Sequence, residues 1–408
     1  MYRCKDYLVN NHHIYLDKNR YPILLPCLFA RYTESLGNKV EIKFKKSRET
    51  NLIEEFFEEE TIGEDTSYKI CNHLGRFLEW VDEYDHFGGI NLAIHTALPQ
   101  ELINEYINDH LIDACSSSEI VANQAVNSLK AYYNWLQYFF DNKFKKIGIK
   151  SSHKVIARNN SKGELAVKYL LPQTRELLYQ NTDNLLEEIV LRNGGELGCR
   201  TKENQGLLLN DFTANTIKHK GLLCLFSELD KHPKQEEFQY HLPSLYTKYG
   251  RSRTLYIPRY LLDKMSFYYR AIRPHSDSNH LLVSNSTNDT RGQCISTKFG
   301  TDTFAKTRNK VINEIQANPE LYKHYQNIQS VNVYHHLRHS FGTDFFYNLC
   351  EGANKNYESI TTTSAVYLST ANRLGHKVDG RYANSVTKSY IHSCGQREQL
   401  LKESVIEY

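Results

Sequence analysis

Residues 334–345, YHHLRHSFGTDF, combine side chains that can bind a phosphate and move protons around it. At helical spacing, His335, Arg338, His339 and Gly342 share one face of a predicted helix. The apolar positions on the adjacent face are Leu337, Phe341 and Phe345. The apolar stripe predicts how the helix docks, whereas the other face suits close approach of a polar ligand such as a phosphate. Taken alone, the pattern also fits an amphipathic helix with surface histidines.

Three further segments follow a fixed order around this one. The first is LGCRTKE (197–203), with an arginine and a glutamate three residues apart. The second is TKYGRSRTLYIP (247–258), a basic segment in which Leu255 and Ile257 alternate as in a strand. The third joins LGH (374–376) to TKSYIH (387–392). Each has an ordinary structural explanation when taken alone, but their order is harder to obtain by chance.

Residues 335–341 resemble the His-x-Leu-Arg-His-Ser/Thr-Phe signature of the tyrosine recombinases, the phage integrase family. The other three segments are similar to that family's Gly-x-Arg-x-x-Glu segment, its lysine-bearing β-hairpin, and its Leu-Gly-His and Thr-x-x-Tyr-x-His boxes. The resemblance covers approximately residues 66–398. It implies the catalytic residues Arg200, Lys248, His335, Arg338, His376 and Tyr390. Tyr382 is the nearest alternative nucleophile, but it lacks the Thr-x-x-Tyr-x-His surroundings.

The implied reaction explains why these residue types are needed. Attack on a DNA phosphodiester builds negative charge on the non-bridging oxygens, which Arg200 and Arg338 can neutralise with bidentate hydrogen bonds. Tyr390 needs a base to become phenolate-like, because a tyrosine has an ordinary pKa of about 10. The resemblance assigns that role to His335, assigns proton donation to the 5′ oxygen to Lys248, and assigns a hydrogen bond to the phosphate to His376.

No cofactor is expected. A tyrosyl phosphate ester retains the energy of the broken bond, so rejoining needs neither ATP nor a metal. The sequence has no P-loop, no H-E-x-x-H segment and no clustered cysteine-histidine zinc motif, which disfavours a metal-dependent nuclease or transposase. The nine cysteines are scattered and never in C-x-x-C spacing, so we interpret them as reduced thiols.

The elements that precede this chemistry predict a small helical module. Apolar residues recur at helical spacing over 70–81, 99–114 and 119–140, the last after a Ser-rich cap. A basic stretch from Lys143 to Lys168 follows, with the composition of an extended linker. This stretch is either a DNA contact or a solvated tether, because the small net charge of the chain, +3, does not distinguish the two interpretations. The residues predicted to contact DNA are Lys143, Lys145, Lys146, Lys150, Lys154 and His339.

The predicted fold is mainly α with a small β-sheet: a helical core-binding domain and a mixed α+β catalytic domain that together clamp duplex DNA. A basic-to-acidic run over residues 41–60 suggests an exposed junction at the first boundary. The predicted divisions are an N-terminal extension (1–60), the helical domain (61–142), a basic linker (143–168), the catalytic domain (169–398) and a C-terminal tail (399–408).

The longest apolar stretch is too short to span a bilayer and the first residues lack a secretory pattern, so we expect a cytoplasmic protein that joins the nucleoid when bound to DNA. The family resemblance implies a tetramer on a DNA synapse, with a monomer or dimer in solution, and a C-terminal segment that docks on a neighbouring subunit. Two alternatives remain open: a type IB topoisomerase, and an integrase-like DNA-binding regulator without catalysis.

Overall fold

The computed structural model describes the backbone over most of the chain, which divides into two compact units, Met1–Leu165 and Ala166–Tyr408. This division lies inside the predicted linker. Side chains are not described at 46, 53, 54, 249, 379, 382, 383, 388–392 and 403–405. The described backbone comprises residues 1–6, 12–46, 53–84, 90–160, 168–214, 216–323, 325–326, 328–376, 378–379, 382–383 and 388–405.

The N-terminal unit surrounds two long helices. The second begins at Glu119 as predicted, whereas the first spans Glu64–Glu83 and is longer than the predicted 70–81. Ser118 caps the second one, because its hydroxyl accepts a hydrogen bond from the Val121 backbone N–H. The helices of this unit are α1 (Leu24–Ala30), α2 (Glu64–Glu83), α3 (Gln100–Glu105), α4 (Glu119–Phe140) and α5 (Ser151–Asn160), with π-helical continuations at Arg31–Ser35 and Tyr106–Ala114. The strands are β1 (Tyr2–Lys5), β2 (His13–Leu16), β3 (Asn38–Lys46) and β4 (Ile53–Thr61).

The first 60 residues belong to this unit. Tyr15 and Phe29 are buried in the same core as Leu74 on α2 and Trp135 on α4. Residues 41–46 and 53–60, part of the predicted exposed junction, belong to the antiparallel strand pair β3–β4, and none of their described side chains is buried. The prediction followed the charges and missed the strands. Among their apolar residues, Val40 is buried and Phe57 packs against the helical core, whereas Phe44 and Phe56 are exposed.

The basic stretch is not an extended linker throughout. Residues 151–160 form α5, and Ala157 on that helix is buried against Ile112 and Ala122. Residues 143–150 have no regular structure but lie along the unit, since Asn104 and Asn108 bond to the backbone of Lys146, Gly148 and Lys150. Amide side chains thus satisfy backbone groups that a free tether would leave to water.

The C-terminal unit is helical apart from short hairpins. Its helices are α6 (Pro172–Gln180), α7 (Leu185–Glu196), α8 (Leu222–Lys231), α9 (Arg259–Phe267), α10 (Phe299–Ala317), α11 (Tyr334–Gly352), α12 (Ala365–Arg373) and α13 (Lys388–Val405). Its strands are β5 (Phe212–Ala214), β6 (Ile217–His219), β7 (Glu237–Leu242), β8 (Arg253–Pro258), β9 (Val378–Asp379) and β10 (Tyr382–Ala383). The short helical turns of the described chain span Leu92–Ile94, Lys202–Gly206, Ser244–Tyr246, Lys248–Gly250, Tyr268–Ile272 and Tyr357–Ser359.

Helix α11, which carries the histidine-arginine segment, packs closely on α7. A Cβ added at Gly194 of α7 would lie 2.9 Å from Tyr334 Cζ, so the absence of a side chain there permits the approach. The Tyr334 hydroxyl donates to the Val190 carbonyl at 3.0 Å and is itself buried. The helix is buried on most sides rather than on one stripe, because α7 and α12 pack against different faces of it.

The β7–β8 hairpin confirms the predicted strand around Leu255 and Ile257. Phe238 pairs with Ile257 and Tyr240 with Leu255, and all four side chains are buried. All strands of the described chain form two-stranded antiparallel pairs, while more than half of the chain is helical. The predicted fold class, mainly α with a small β component, is therefore confirmed. Among the described helices, none has the length and apolar character needed to cross a membrane.

Candidate functional site

Two glycines bring the ends of α7 and α12 together. Gly198 follows α7 with φ +62°, and a Cβ there would lie 2.5 Å from Phe341 Cδ1 of α11. Gly375 follows α12 with φ +64°, and a Cβ there would lie 3.0 Å from the Arg253 Cδ. Both positions combine a left-handed backbone with a close neighbour, so only glycine fits easily. The glycines of the Leu-Gly-Cys-Arg and Leu-Gly-His segments therefore shape the site.

The Glu203 carboxylate lies at the centre of the site, with 1% of its side chain exposed. Its Oε1 accepts from Arg200 Nη1 at 2.7 Å, and its Oε2 accepts from Arg253 Nη2 at 2.8 Å. Arg338 Nη1 lies 3.5 Å from the same Oε2. Burial alone would raise the pKa of this carboxyl, but Arg253, Arg338 and Arg200 outweigh it and lower the pKa to about 2. Glu203 is therefore an anion that orders three guanidinium groups.

The two buried arginines also hold the helix ends. Arg338 donates to the carbonyls of Gly198 and Leu374. Arg253 donates to the Gly198 carbonyl at 3.0 Å and to the Arg373 carbonyl at 2.8 Å. Carbonyls at a helix C-terminus lack partners within the helix and carry partial negative charge, so cations stabilise them. These bonds attach the segments before Arg200 and His376 to one another.

The exposure of the two predicted phosphate-binding arginines differs. Arg200 has 26% of its side chain exposed, whereas Arg338 has 1%. Arg200 can therefore receive an anion from solvent as it stands. The Nη atoms of Arg338 point at the carbonyls of Gly198 and Leu374 and at Glu203. In this conformation Arg338 therefore fixes the segments around these carbonyls and adds a buried positive charge to the site.

Two predicted catalytic histidines lie within the field of these arginines. Loss of hydration lowers the pKa of His335 to about 4, with Arg338 and then Arg200 adding to the effect, although the side chain retains an exposed surface. The pKa of His376 falls to about 3 for the same causes in the same order. Both imidazoles are neutral at pH 7. Each can thus offer one donor and one acceptor nitrogen to a phosphate.

The remaining histidines of the segment are internal. His336 is buried and its Nδ1 lies 3.0 Å from Asn332 Nδ2. His339, which we predicted to contact DNA, is buried, and burial lowers its pKa to about 3. The helical-wheel argument placed His339 beside His335 on an open face. On that face His335 is exposed, but Arg338, His339 and Gly342 are buried, so the structure does not place His339 on the surface.

Lys248 lies in the β7–β8 hairpin, as predicted, and Tyr390 lies on a helix, for which the sequence gave no prediction. Lys248 is exposed in the loop between β7 and β8, and the first residue after this loop is Arg253, which reaches Glu203. Tyr390 lies in the first turn of α13, but its side chain falls outside the described residues, as does that of Tyr382.

The five lysines predicted to contact DNA lie on the N-terminal unit. Lys143, Lys146, Lys150 and Lys154 are exposed. Lys145 is partly buried instead: its ammonium donates to the Leu98 carbonyl at 2.8 Å, and burial, followed by repulsion from Lys143, lowers its pKa.

Arg253 is the site residue that sequence reasoning missed. It was part of the basic hairpin segment, where it looked like one of several exposed cations. Its place in the alternation was the available signal. Arg253 is two residues before Leu255 and four before Ile257, so it shares their buried face.

Comparison with solved structures retrieves integrases. One is the Tn1549 transposon integrase in complex with a circular intermediate DNA, at 14% identity and a TM-score of 0.46, covering 83% of this chain and 94% of that one. Another is a lambda integrase dimer bound to a core site, at 12% identity and a TM-score of 0.41, covering 97% of this chain and 98% of that one. No protein-family model and no curated protein matches the sequence.

Proposed function

We propose that this protein is a site-specific DNA recombinase of the integrase type, which cleaves and rejoins strands through a covalent 3′-phosphotyrosine intermediate. The observation that carries the proposal is the cluster of Arg200, Arg253 and Arg338 around Glu203, with the neutral imidazoles of His335 and His376 in the same field. A net positive, partly open cradle of this kind suits a phosphodiester, which carries one negative charge and gains more as it is attacked.

In the proposed reaction, the Tyr390 oxygen forms a bond to phosphorus while the bond from phosphorus to the 5′ oxygen breaks. The tyrosine proton passes to His335, and Lys248 gives a proton to the departing 5′ oxygen. Arg200 and His376 hydrogen-bond the non-bridging oxygens, and Arg338 stabilises them through its charge and its hold on both loops. Rejoining reverses these transfers, so neither ATP nor a metal is consumed.

The neutral state of His335 supports its assignment as base. A protonated imidazole could not accept the tyrosine proton. Loss of hydration, reinforced by the neighbouring arginines, lowers the pKa of His335 and keeps it unprotonated in the free protein. A bound phosphodiester adds a negative charge beside the ring. That charge offsets the arginines and raises the pKa of His335 from about 4 towards the working pH, which makes it a stronger base once DNA is bound.

Duplex DNA is the proposed partner, and the exposed lysines of the N-terminal unit supply sequence-independent phosphate contacts. Strand exchange requires four cleavage events, so we propose a tetramer on the DNA synapse, formed from monomers or dimers present in the cytoplasm.

A covalent trapping experiment tests the proposal. The full chain is incubated with a pool of duplexes that carry randomised sequence and a nick near the centre. Cleavage beside the nick releases a short fragment with a 5′ hydroxyl, and because this fragment diffuses away, rejoining is blocked. We expect a protein-DNA adduct to form in the presence of EDTA and without ATP. Peptide mass spectrometry should locate the attached DNA at Tyr390. Tyr390→Phe should abolish the adduct and the matched control Tyr382→Phe should retain it. Absence of an adduct, or one that survives Tyr390→Phe, contradicts the proposal.

A further inference from the structure

Asp344 connects three elements of the C-terminal unit. It lies on α11, six residues after Arg338, and its Oδ1 accepts from the Tyr169 hydroxyl at 2.6 Å. Its Oδ2 accepts from Arg175 Nη2 of α6 at 2.5 Å. Arg397 Nε of α13 donates to Oδ1 at 3.1 Å. The carboxylate therefore joins the helix that bears Arg338 to the start of the unit and to the helix that bears position 390.

Further contacts show that α13 is docked on its own chain. Arg397 lies over the Tyr347 ring, with its guanidinium carbon 4.0 Å from the ring centroid. Glu398 accepts hydrogen bonds from the hydroxyls of Tyr347 and Tyr357, both at 3.2 Å. Cys394 is fully buried in the core that α11 and α12 share. Position 390 precedes Cys394 by four residues and Arg397 by seven, so one and two helical turns separate it from these contacts.

We infer that Asp344 and Arg397 are positioning residues that hold the nucleophile-bearing helix against the helix of Arg338. The inference rests on the proposed function, because it assigns the nucleophile to position 390. It also bears on the C-terminal segment. Residues 396–408 had been expected to dock on a neighbouring subunit, yet Arg397 and Glu398 of that segment contact their own chain.

The two partners of this contact differ in what else they hold. Asp344 also carries the bonds to Tyr169 and Arg175, and Arg175 donates to the Gly195 carbonyl at 3.0 Å. Removing the carboxylate would therefore disturb α6 and the end of α7 as well. Arg397 contacts Asp344, the Tyr169 hydroxyl and the Tyr347 ring, so its removal loosens α13 while leaving the bonds from Arg175 to Asp344 and to Gly195 in place. Substitution of Arg397 is the selective test.

Cleavage and rejoining should respond differently to this substitution. Before cleavage, the nucleophile is placed only by the docking of α13, so a loosened helix lowers the fraction of molecules ready to attack. After cleavage, the phosphotyrosine bond itself tethers α13 at the site, and the 5′ hydroxyl attacks a group that is already in place. A general loss of structure would instead slow both steps together.

The experiment compares Arg397→Met with Lys402→Met, which removes an exposed cation one turn later on the same helix. Cleavage is followed on the nicked duplex, and rejoining is started by adding the missing 5′-hydroxyl strand to purified adduct. We expect Arg397→Met to slow cleavage about 10- to 100-fold, because a small misplacement of a nucleophile lowers the rate by about that factor. The rate of rejoining should change by less than about threefold. Lys402→Met should behave as the unchanged protein. Arg397→Lys, which retains the charge, should restore part of the cleavage rate.

Each outcome separates this inference from the proposed function. If the unchanged protein forms no adduct, the proposed function fails. If it forms the Tyr390 adduct but Arg397→Met cleaves at the same rate, or slows both steps equally at unchanged DNA affinity, the positioning role is refuted alone. If urea denaturation shows that Arg397→Met folds poorly, the ratio of the cleavage rate to the rejoining rate is measured for Arg397→Lys instead. A ratio equal to that of the unchanged protein refutes the positioning role.

Discussion

Replacing Glu203 by glutamine keeps the shape of the side chain and removes the charge that three arginines share. In the folded chain the pKa of this carboxyl is about 2, against an ordinary value of 4.5. That difference corresponds to about 3 kcal/mol of folding free energy at neutral pH. Leaving Arg253 and Arg338 buried without their anion carries a cost of similar size, about 3–5 kcal/mol for a broken buried pair. We expect Glu203→Gln to lower the free energy of unfolding by about 3 kcal/mol.

The pH dependence of this loss is specific. Because the folded pKa is lower than the unfolded one, the stabilisation is complete above pH 4.5 and disappears as the pH falls towards about 2. Urea denaturation without DNA, from pH 7 down to pH 3, measures the difference between the two proteins. The matched control is Glu176→Gln, whose carboxylate bonds Arg192 but is 43% exposed, and which should cost less than about 1 kcal/mol. Equal losses in both variants, or a Glu203→Gln loss unchanged at pH 3, would refute the reasoning.

Three further outcomes follow from the site and the basic segment. Arg200→Lys should slow adduct formation about 100-fold, since an ammonium cannot make the bidentate contact, and a rate within threefold of the unchanged protein in single-turnover assays contradicts this. Replacing Lys143 and Lys146 by glutamine should lower the slope of log affinity against log salt by about 2, measured by fluorescence anisotropy on duplex DNA, and an unchanged slope removes both lysines from the interface. His339→Gln should reduce the fall in unfolding free energy between pH 6.5 and about 3, because the unfolded histidine binds a proton in that range and the buried one does not. If the unfolding free energies of the two proteins change identically with pH, His339 is not buried as a neutral ring.

Local patterns in the sequence were enough to predict the main elements. Helical periodicity and a serine cap placed α2 and α4, and strand alternation placed β8, because each depends on neighbours within a few residues. The same approach missed the strands at 41–46 and 53–60 and the helix at 151–160. Charge and polar composition there gave no sign of regular structure, because the apolar residues that hold these elements, such as Val40 of β3 and Ala157 of α5, have partners far away in sequence.

By itself, the sequence was enough to predict the chemistry, through the types and order of Arg200, Lys248, His335, Arg338, His376 and Tyr390, since the proposed phosphate chemistry needs those groups wherever they lie in the chain. Only the tertiary structure decided how they are held. It pairs Arg253 with Glu203, buries Glu203 as an anion and buries the side chain of His339. The physical reason is that burial and charge pairing depend on contacts between residues 50 to 140 positions apart, such as Arg253 with Glu203 and Arg338 with Gly198, and no local pattern reports them.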